Sequence, residues 1–171
     1  MSTALDFDYE EIKRYIEGCS PESVIMIGCD SVRKESHGSA WATYATVICI
    51  RRASGKGKDV MYHGCKVFGA RVRMRDYGKV VKSGKLANLK TRLLQEVTFA
   101  LEAFAGISDV IEDRPFEIHL DINSRPDAES NIAMSEAKGY VLGVTGREPE
   151  FKPTALAASF AADYHAHGLL N

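Results

Sequence analysis

Four acidic residues stand where acid is not expected: Asp30, Glu96, Asp121 and Asp163. Asp30 closes the apolar run Val24-Ile25-Met26-Ile27-Gly28-Cys29, and Asp121 closes Phe116-Glu117-Ile118-His119-Leu120. Runs this short and this apolar fit strands covered on both faces of a sheet. A carboxylate at the end of such a strand is mounted on rigid backbone. Glu96 falls in the helical row of Leu89, Leu93 and Ala100, at the border of an apolar stripe. Asp163 lies among alanines, one turn before His167. Taken singly, each has an ordinary explanation: a turn-forming Asp, a Glu at the flank of a helix, an Asp paired with Lys or Arg. If the two strands are parallel neighbours, however, Asp30 and Asp121 come side by side, and two helices bring Glu96 and Asp163 to the same edge. Gathered carboxylates repel one another and lose hydration, so they need compensating positive charge. Two Mg²⁺ or Mn²⁺ ions with oxygen ligands supply it. Two such ions about 3.5–4 Å apart can activate a water and hold the leaving oxygen in in-line phosphodiester cleavage.

The elements that must position these acids follow from the pattern. Tyr9, Ile12, Tyr15 and Ile16 at helical spacing predict a helix over 8–17, capped by Asp6 or Asp8 and closed by Gly18. A strand over 24–29 follows. Residues 41–50 are rich in aromatic and β-branched side chains and read as a long strand; 54–59 is a turn and 60–68 the returning strand. Residues 69–85, with Gly69, Gly78 and Gly84, read as irregular. From Leu86 an apolar stripe through Leu89, Leu93, Val97, Ala100, Leu101 and Phe104 predicts a helix ending near Gly106. A strand over 116–121, a helix over 127–138 stopped by Gly139, short strand candidates at 140–144 and 150–152, and an Ala-rich last helix to His167 complete the chain. A meander of strands followed by strands alternating with helices predicts a mixed sheet covered by helices.

The chain has 171 residues, 45% hydrophobic and 26% charged, with a formal net charge of -1. This predicts one globular domain over residues 1–171, with 1–20 as an N-terminal helical extension. No signal peptide or membrane-length apolar run is visible, so the expected location is cytoplasmic, away from membranes. Cys19, Cys29, Cys49 and Cys65 show no C-x-x-C pairing and read as buried small hydrophobes in a reducing compartment. The neutral total conceals a basic window: Arg71, Arg73, Arg75, Lys79, Lys82, Lys85, Lys90 and Arg92 stand against Asp76 alone. The first six of these, with Tyr77 to stack a base, are the expected handle on nucleic acid.

The chain resembles the ribonuclease H-like superfamily, most closely its YkuK-type family. The matching pieces are Ile27-Gly28-Cys29-Asp30-Ser31, the helical Arg92-Leu93-Leu94-Gln95-Glu96-Val97, Glu117-Ile118-His119-Leu120-Asp121-Ile122-Asn123, and Lys152-Pro153 through Ala157-Ala158-Ser159 to Ala162-Asp163-Tyr164-His165. The resemblance implies a ribonuclease H-like α/β fold, a mixed five-stranded sheet with three antiparallel strands and then parallel ones, flanked by helices. It implies Asp30, Glu96, Asp121 and Asp163 as metal-site residues, with His167 on the same face as Asp163.

Two other motifs fail on inspection. Residues 78–85 have the wrong glycine spacing for a P-loop, and Leu86 stands where Ser or Thr is needed. A triad of Ser31, His119 and Asp121 lacks any nucleophile-elbow sequence. The expected function is therefore a metal-dependent nuclease acting on RNA, an RNA–DNA hybrid or structured DNA. The alternative is a non-catalytic nucleic-acid-binding or assembly module that keeps the fold.

Overall fold

The computed structural model describes residues 4–37, 39–76, 84–155 and 162. Three long strands, β1 (Val24–Ser36), β2 (Ser39–Ser54) and β3 (Met61–Asp76), form an antiparallel meander. β4 (Phe116–Asn123) lies parallel to β1 on its other side, and the short β5 (Glu150–Lys152) lies parallel to β4. The sheet order is β3-β2-β1-β4-β5. Helices α1 (Tyr9–Glu17), α2 (Gly84–Ile111) and α3 (Met134–Thr145) accompany it, with 3₁₀ turns at Gly57–Asp59 and Glu129–Ala133. The mixed sheet of three antiparallel strands and then parallel ones, expected from the sequence, is present.

Strand alternation sorts the sheet into two faces. Ile25, Ile27 and Cys29 of β1, Ile48 and Ile50 of β2, and Ile118 and Leu120 of β4 share one core with Leu93, Val97, Ala100 and Ile107 of α2. The isoleucines among them are fully or nearly fully buried, and each contributes about 1.5–3 kcal/mol relative to exposure. The opposite face carries smaller clusters: Val24, Met26 and Cys49 in one, Val47 with Ala162 in another. Among the described residues no helix is long and apolar enough to cross a membrane.

Several boundaries differ from the sequence expectation. β1 does not stop at Asp30 but runs to Ser36, because β2 continues to hydrogen-bond it through Ser36↔Ser39. β3 likewise extends through 69–76, which composition marked as irregular. Ala70 and Val72 are buried and Met74 packs beside them, so period-two alternation hides among arginines there. α2 starts at Gly84 and ends at Ile111, passing straight through Gly106. That glycine is no cap: a Cβ there would collide with the Tyr9 ring, so its lack of bulk lets α1 dock on α2. The helix expected over 127–138 lies instead at Met134–Thr145 and takes in the strand candidate at 140–144. Ala137 and Val141 form its buried row, and Gly146, in the left-handed conformation (φ 70°), ends it by donating to the Leu142 carbonyl. All four cysteines are free thiols; Cys29 and Cys49 are buried, but Cys65 is exposed on the edge strand.

Candidate functional site

Pairing between β1 and β4 ends at Cys29↔Leu120. The next residues along the two strands are Asp30 and Asp121. Cys29 and Leu120 both face α2, so Asp30 and Asp121 share the opposite face, on adjacent strands about 4.8 Å apart. Beyond this point β1 continues to Ser36 with β2 as its partner, leaving a notch beside β4. The side-by-side placement expected of these two acids is what the register gives.

Glu96 approaches from the other side. Its position on α2 aims it at β1, where it is 4% exposed. The Ser31 hydroxyl donates to Glu96 Oε1 (2.5 Å), and Arg92, one turn earlier on α2, donates to the Ser31 hydroxyl (2.6 Å) and carbonyl (3.1 Å). The Arg92 guanidinium also stands 3.6 Å from Glu96 Oε1. Burial pushes the Glu96 carboxyl up to about 8; the Ser31 hydrogen bond opposes this, the Asp30 charge adds to it, and Arg92 and Lys152 pull it back. Burial also holds the Cys29 thiol well above its ordinary range, with the Glu96 and Asp30 charges adding to it. Glu96 is thus a dry carboxyl on the border of the stripe, as its helical row predicted, and it feels Asp30.

Asp121 is ion-paired with Lys152 of β5. In the sequence Lys152 stands out only in a short strand candidate and a matching motif, Arg92 in the basic window and a matching motif, and Ser31 in a matching motif and the rejected triad. Arg92 at four residues before Glu96 was the one visible signal, since such pairs share a helix face. Among the described residues no three His, Cys, Asp or Glu side chains stand close enough together to hold a metal ion. Asp163 and His167 lie outside the described residues. Ala162 is helical and packs on Val47, which pairs with Gly28 of β1 on the face that carries Asp30 and Asp121.

The paper triad separates in space. Ser31 faces α2, whereas His119 and Asp121 face the other way. His119, buried beside Gly28, has its Nε2 2.7 Å from Glu117 Oε2.

Of the basic handle, Arg71, Arg73 and Arg75 are exposed on β3, on the Asp30 face of the sheet. Asp30 pairs with Ala45 and Ala45 with Arg71, so one row crosses three strands from the acid to the first arginine. Arg73 lies over the Trp41 ring at 4.8 Å, and Arg75 donates to the Ser39 hydroxyl at 3.4 Å. Asp76 is 2.6 Å from Arg33. Lys79, Lys82 and Tyr77 lie outside the described residues, as does the Lys85 side chain at the start of α2.

A family model described as Ribonuclease H-like matches residues 8–167. No curated protein and no solved structure matches the chain. The matched span takes in the notch, its three placed acids, and Asp163 and His167.

Proposed function

The chain belongs to the ribonuclease H-like family, and from that premise we propose that it is a divalent-metal-dependent nuclease. It hydrolyses phosphodiester bonds of RNA, an RNA–DNA hybrid or structured DNA. The observation that carries this reading is the notch: Asp30 and Asp121 on one face at the end of the β1–β4 pairing, with buried Glu96 behind them. The donor set suits a hard cation, since all three offer only oxygen. Glu96 supports the fit further, because a buried carboxyl pushed up to about 8 is one whose charge Ser31, Arg92 and Lys152 compensate only in part.

In this reading Asp30 and Asp121 anchor the ions, Glu96 and Asp163 complete the ligands, and His167 assists on the Asp163 side. A bound pair of Mg²⁺ or Mn²⁺ ions supplies water activation and charge stabilisation at the leaving oxygen. Ser31 holds Glu96 by its hydrogen bond, and Arg92 in turn holds Ser31. Arg71, Arg73 and Arg75, with Lys79, Lys82 and Lys85, bind phosphates of the strand and orient it toward Asp30. No side chain forms a covalent intermediate.

Asp30→Asn and Asp121→Asn test the reading. Each is expected to lose Mg²⁺-dependent cleavage by at least about 100-fold while keeping the circular dichroism of the parent. Cleavage retained by both variants removes these roles. Binding without turnover, in Mg²⁺ and Mn²⁺, across hybrid, duplex, branched and single-stranded substrates would instead identify a non-catalytic nucleic-acid-binding or assembly module.

A further inference from the structure

Lys152 ends β5, and its ammonium is ion-paired with Asp121 Oδ1. Its charge also reaches Glu96, where it works with Arg92 and the Ser31 hydroxyl against burial. One lysine therefore bears on two of the three carboxylates placed at the notch. The fold sets it there. β5 pairs with β4 through His119↔Glu150 and Leu120↔Phe151, and then the register shifts to Asn123↔Lys152. The Lys152 carbonyl accepts from the Ser124 hydroxyl (3.2 Å), and Thr154 and Ala155 close the next turn by donating to the Phe151 carbonyl. The backbone is tied down while the side chain stays 41% exposed.

An ion pair this open adds little to folding. Its consequence is for charge balance at the notch. Two of the three carboxylates already have a cation beside them, Lys152 at Asp121 and Arg92 3.6 Å from Glu96, before any divalent ion arrives. A divalent ion arriving on Asp121 meets like charge at contact distance, and one cation must withdraw. Arg92 is held by two hydrogen bonds to Ser31 and is the less exposed of the two, at 23%. Lys152, on a flexible four-carbon stem at the rim, is the one free to move.

We propose that Lys152 is the resident cation of this site. It neutralises Asp121 in the metal-free protein, competes with a divalent ion for that carboxylate, and once displaced offers its ammonium to a non-bridging oxygen of the substrate phosphodiester. This rests on the nuclease reading and adds to it the residue that couples metal entry to substrate binding. Two effects of opposite sign follow: removing the lysine charge strengthens metal binding and weakens nucleic-acid binding. A lysine that merely braced β5 would do neither.

The test uses the full chain as wild type, Lys152→Met and Lys152→Arg. Mn²⁺ alone is titrated by calorimetry, and a labelled RNA–DNA hybrid is titrated in Ca²⁺. Lys152→Met is expected to bind Mn²⁺ about tenfold tighter and the hybrid about fivefold weaker, while Lys152→Arg, which keeps the charge, stays close to wild type in both. If the Met variant loses its circular dichroism signal, Lys152→Gln replaces it in the same titrations. Mn²⁺ affinity unchanged or reduced in the neutral variant overturns the proposal and leaves the nuclease reading standing. Absence of Mn²⁺ binding in wild type and variants alike overturns both.

Discussion

The two ends of β1 meet charge in different ways. At its start, beside Ser23, lies a cleft of about 660 Å³, with Arg14, Arg52, His63 and Ser20 in its walls. Arg14 and Arg52 are exposed there, and their hydrogen bonds go to carbonyls, those of Glu10 and His63. Seven residues on, roughly 20 Å along the strand at about 3.3 Å per residue, Asp30 enters the notch. The clefts at that end are smaller, about 360 and 240 Å³, and Arg92 lines both. By size alone the first end would be chosen. Exposed guanidinium groups, however, are solvated at little free-energy cost and need no partner to explain them. A carboxyl 4% exposed and pushed up to about 8 is held out of water against its preference, and that demands a reason. Burial of a carboxyl, more than the volume of a cavity, is what favours the notch as the proposed site.

The sharpest way to break the comparison is kinetic. The double variant Arg14→Ala/Arg52→Ala is expected to keep Mg²⁺-dependent cleavage within about threefold of wild type, against the loss of at least about 100-fold expected for Asp30→Asn. A matching loss at the cleft end would mean that the larger cavity, too, belongs to the reaction.

The next effect concerns stability against pH in the metal-free protein. Glu96 ionises near 4.5 when unfolded and is pushed up to about 8 when folded. Below pH 4.5 both states hold the proton and the group contributes nothing. Between 4.5 and 8 the unfolded state releases a proton that the folded state keeps, so stability falls as pH rises, and above 8 the loss is constant. Denaturant titrations in EDTA at pH 5 to 8 are expected to show the difference between Glu96→Gln and wild type growing in favour of the variant, by up to about 1.4 kcal/mol per pH unit. The difference between Arg14→Ala, which keeps Glu96, and wild type is expected to be flat over the same range. A difference that does not change with pH would remove the burial of charge on which the notch was chosen.

Smaller again is the effect at the basic row. Replacing Arg71, Arg73 and Arg75 by Ala is expected to lower the slope of log affinity against log salt for the hybrid by about 2 to 3, since each phosphate contact contributes about 0.7–0.9. Cleavage at saturating substrate is expected to hold. An unchanged slope would move the nucleic acid off the Asp30 face, and the arginines at the cleft end would become the better candidates.

Much of this placement was legible in the sequence, and the failures have physical causes. The apolar runs ending on Asp30 and Asp121 gave the strands and the acids together, and the helical row put Glu96 at the core border. Extent was misread wherever a neighbouring strand decided it. β1 past Asp30 is Ser31-Val32-Arg33-Lys34-Glu35-Ser36, a polar stretch with no strand pattern of its own, held by the ladder to β2. Gly139 read as a stop because glycine weakens helices, yet it lies on the exposed side of α3, where it leaves the Ala137 and Val141 row intact. Cys65 sits in an apolar-looking run, but on an edge strand whose residues 61–66 are all exposed. The Lys152–Asp121 pair was out of reach for a different reason. It depends on a register shift between strands far apart in the chain, and no local periodicity encodes that.

Gly106 offers the mildest and most selective test of whether the two ends are independent. It sits on α2, the helix that also carries Glu96 and Arg92, but three turns further on, where the Tyr9 ring lies against its backbone. Tyr9 opens α1, and α1 supplies Arg14 and Tyr15 to the large cleft. A methyl group at 106 must push Tyr9 aside, so Gly106→Ala is expected to lose about 1–3 kcal/mol of stability to overpacking, offset in small part by the better helix propensity of Ala. Only the docking of α1 is disturbed, because Leu93, Val97 and Ala100 hold the site half of α2 against the sheet. Mn²⁺ affinity should therefore match wild type while the denaturation midpoint falls. A loss of Mn²⁺ affinity in step with stability would show strain travelling along α2 from the cleft end to Glu96, and the two ends of β1 would then be one coupled site instead of two separate ones.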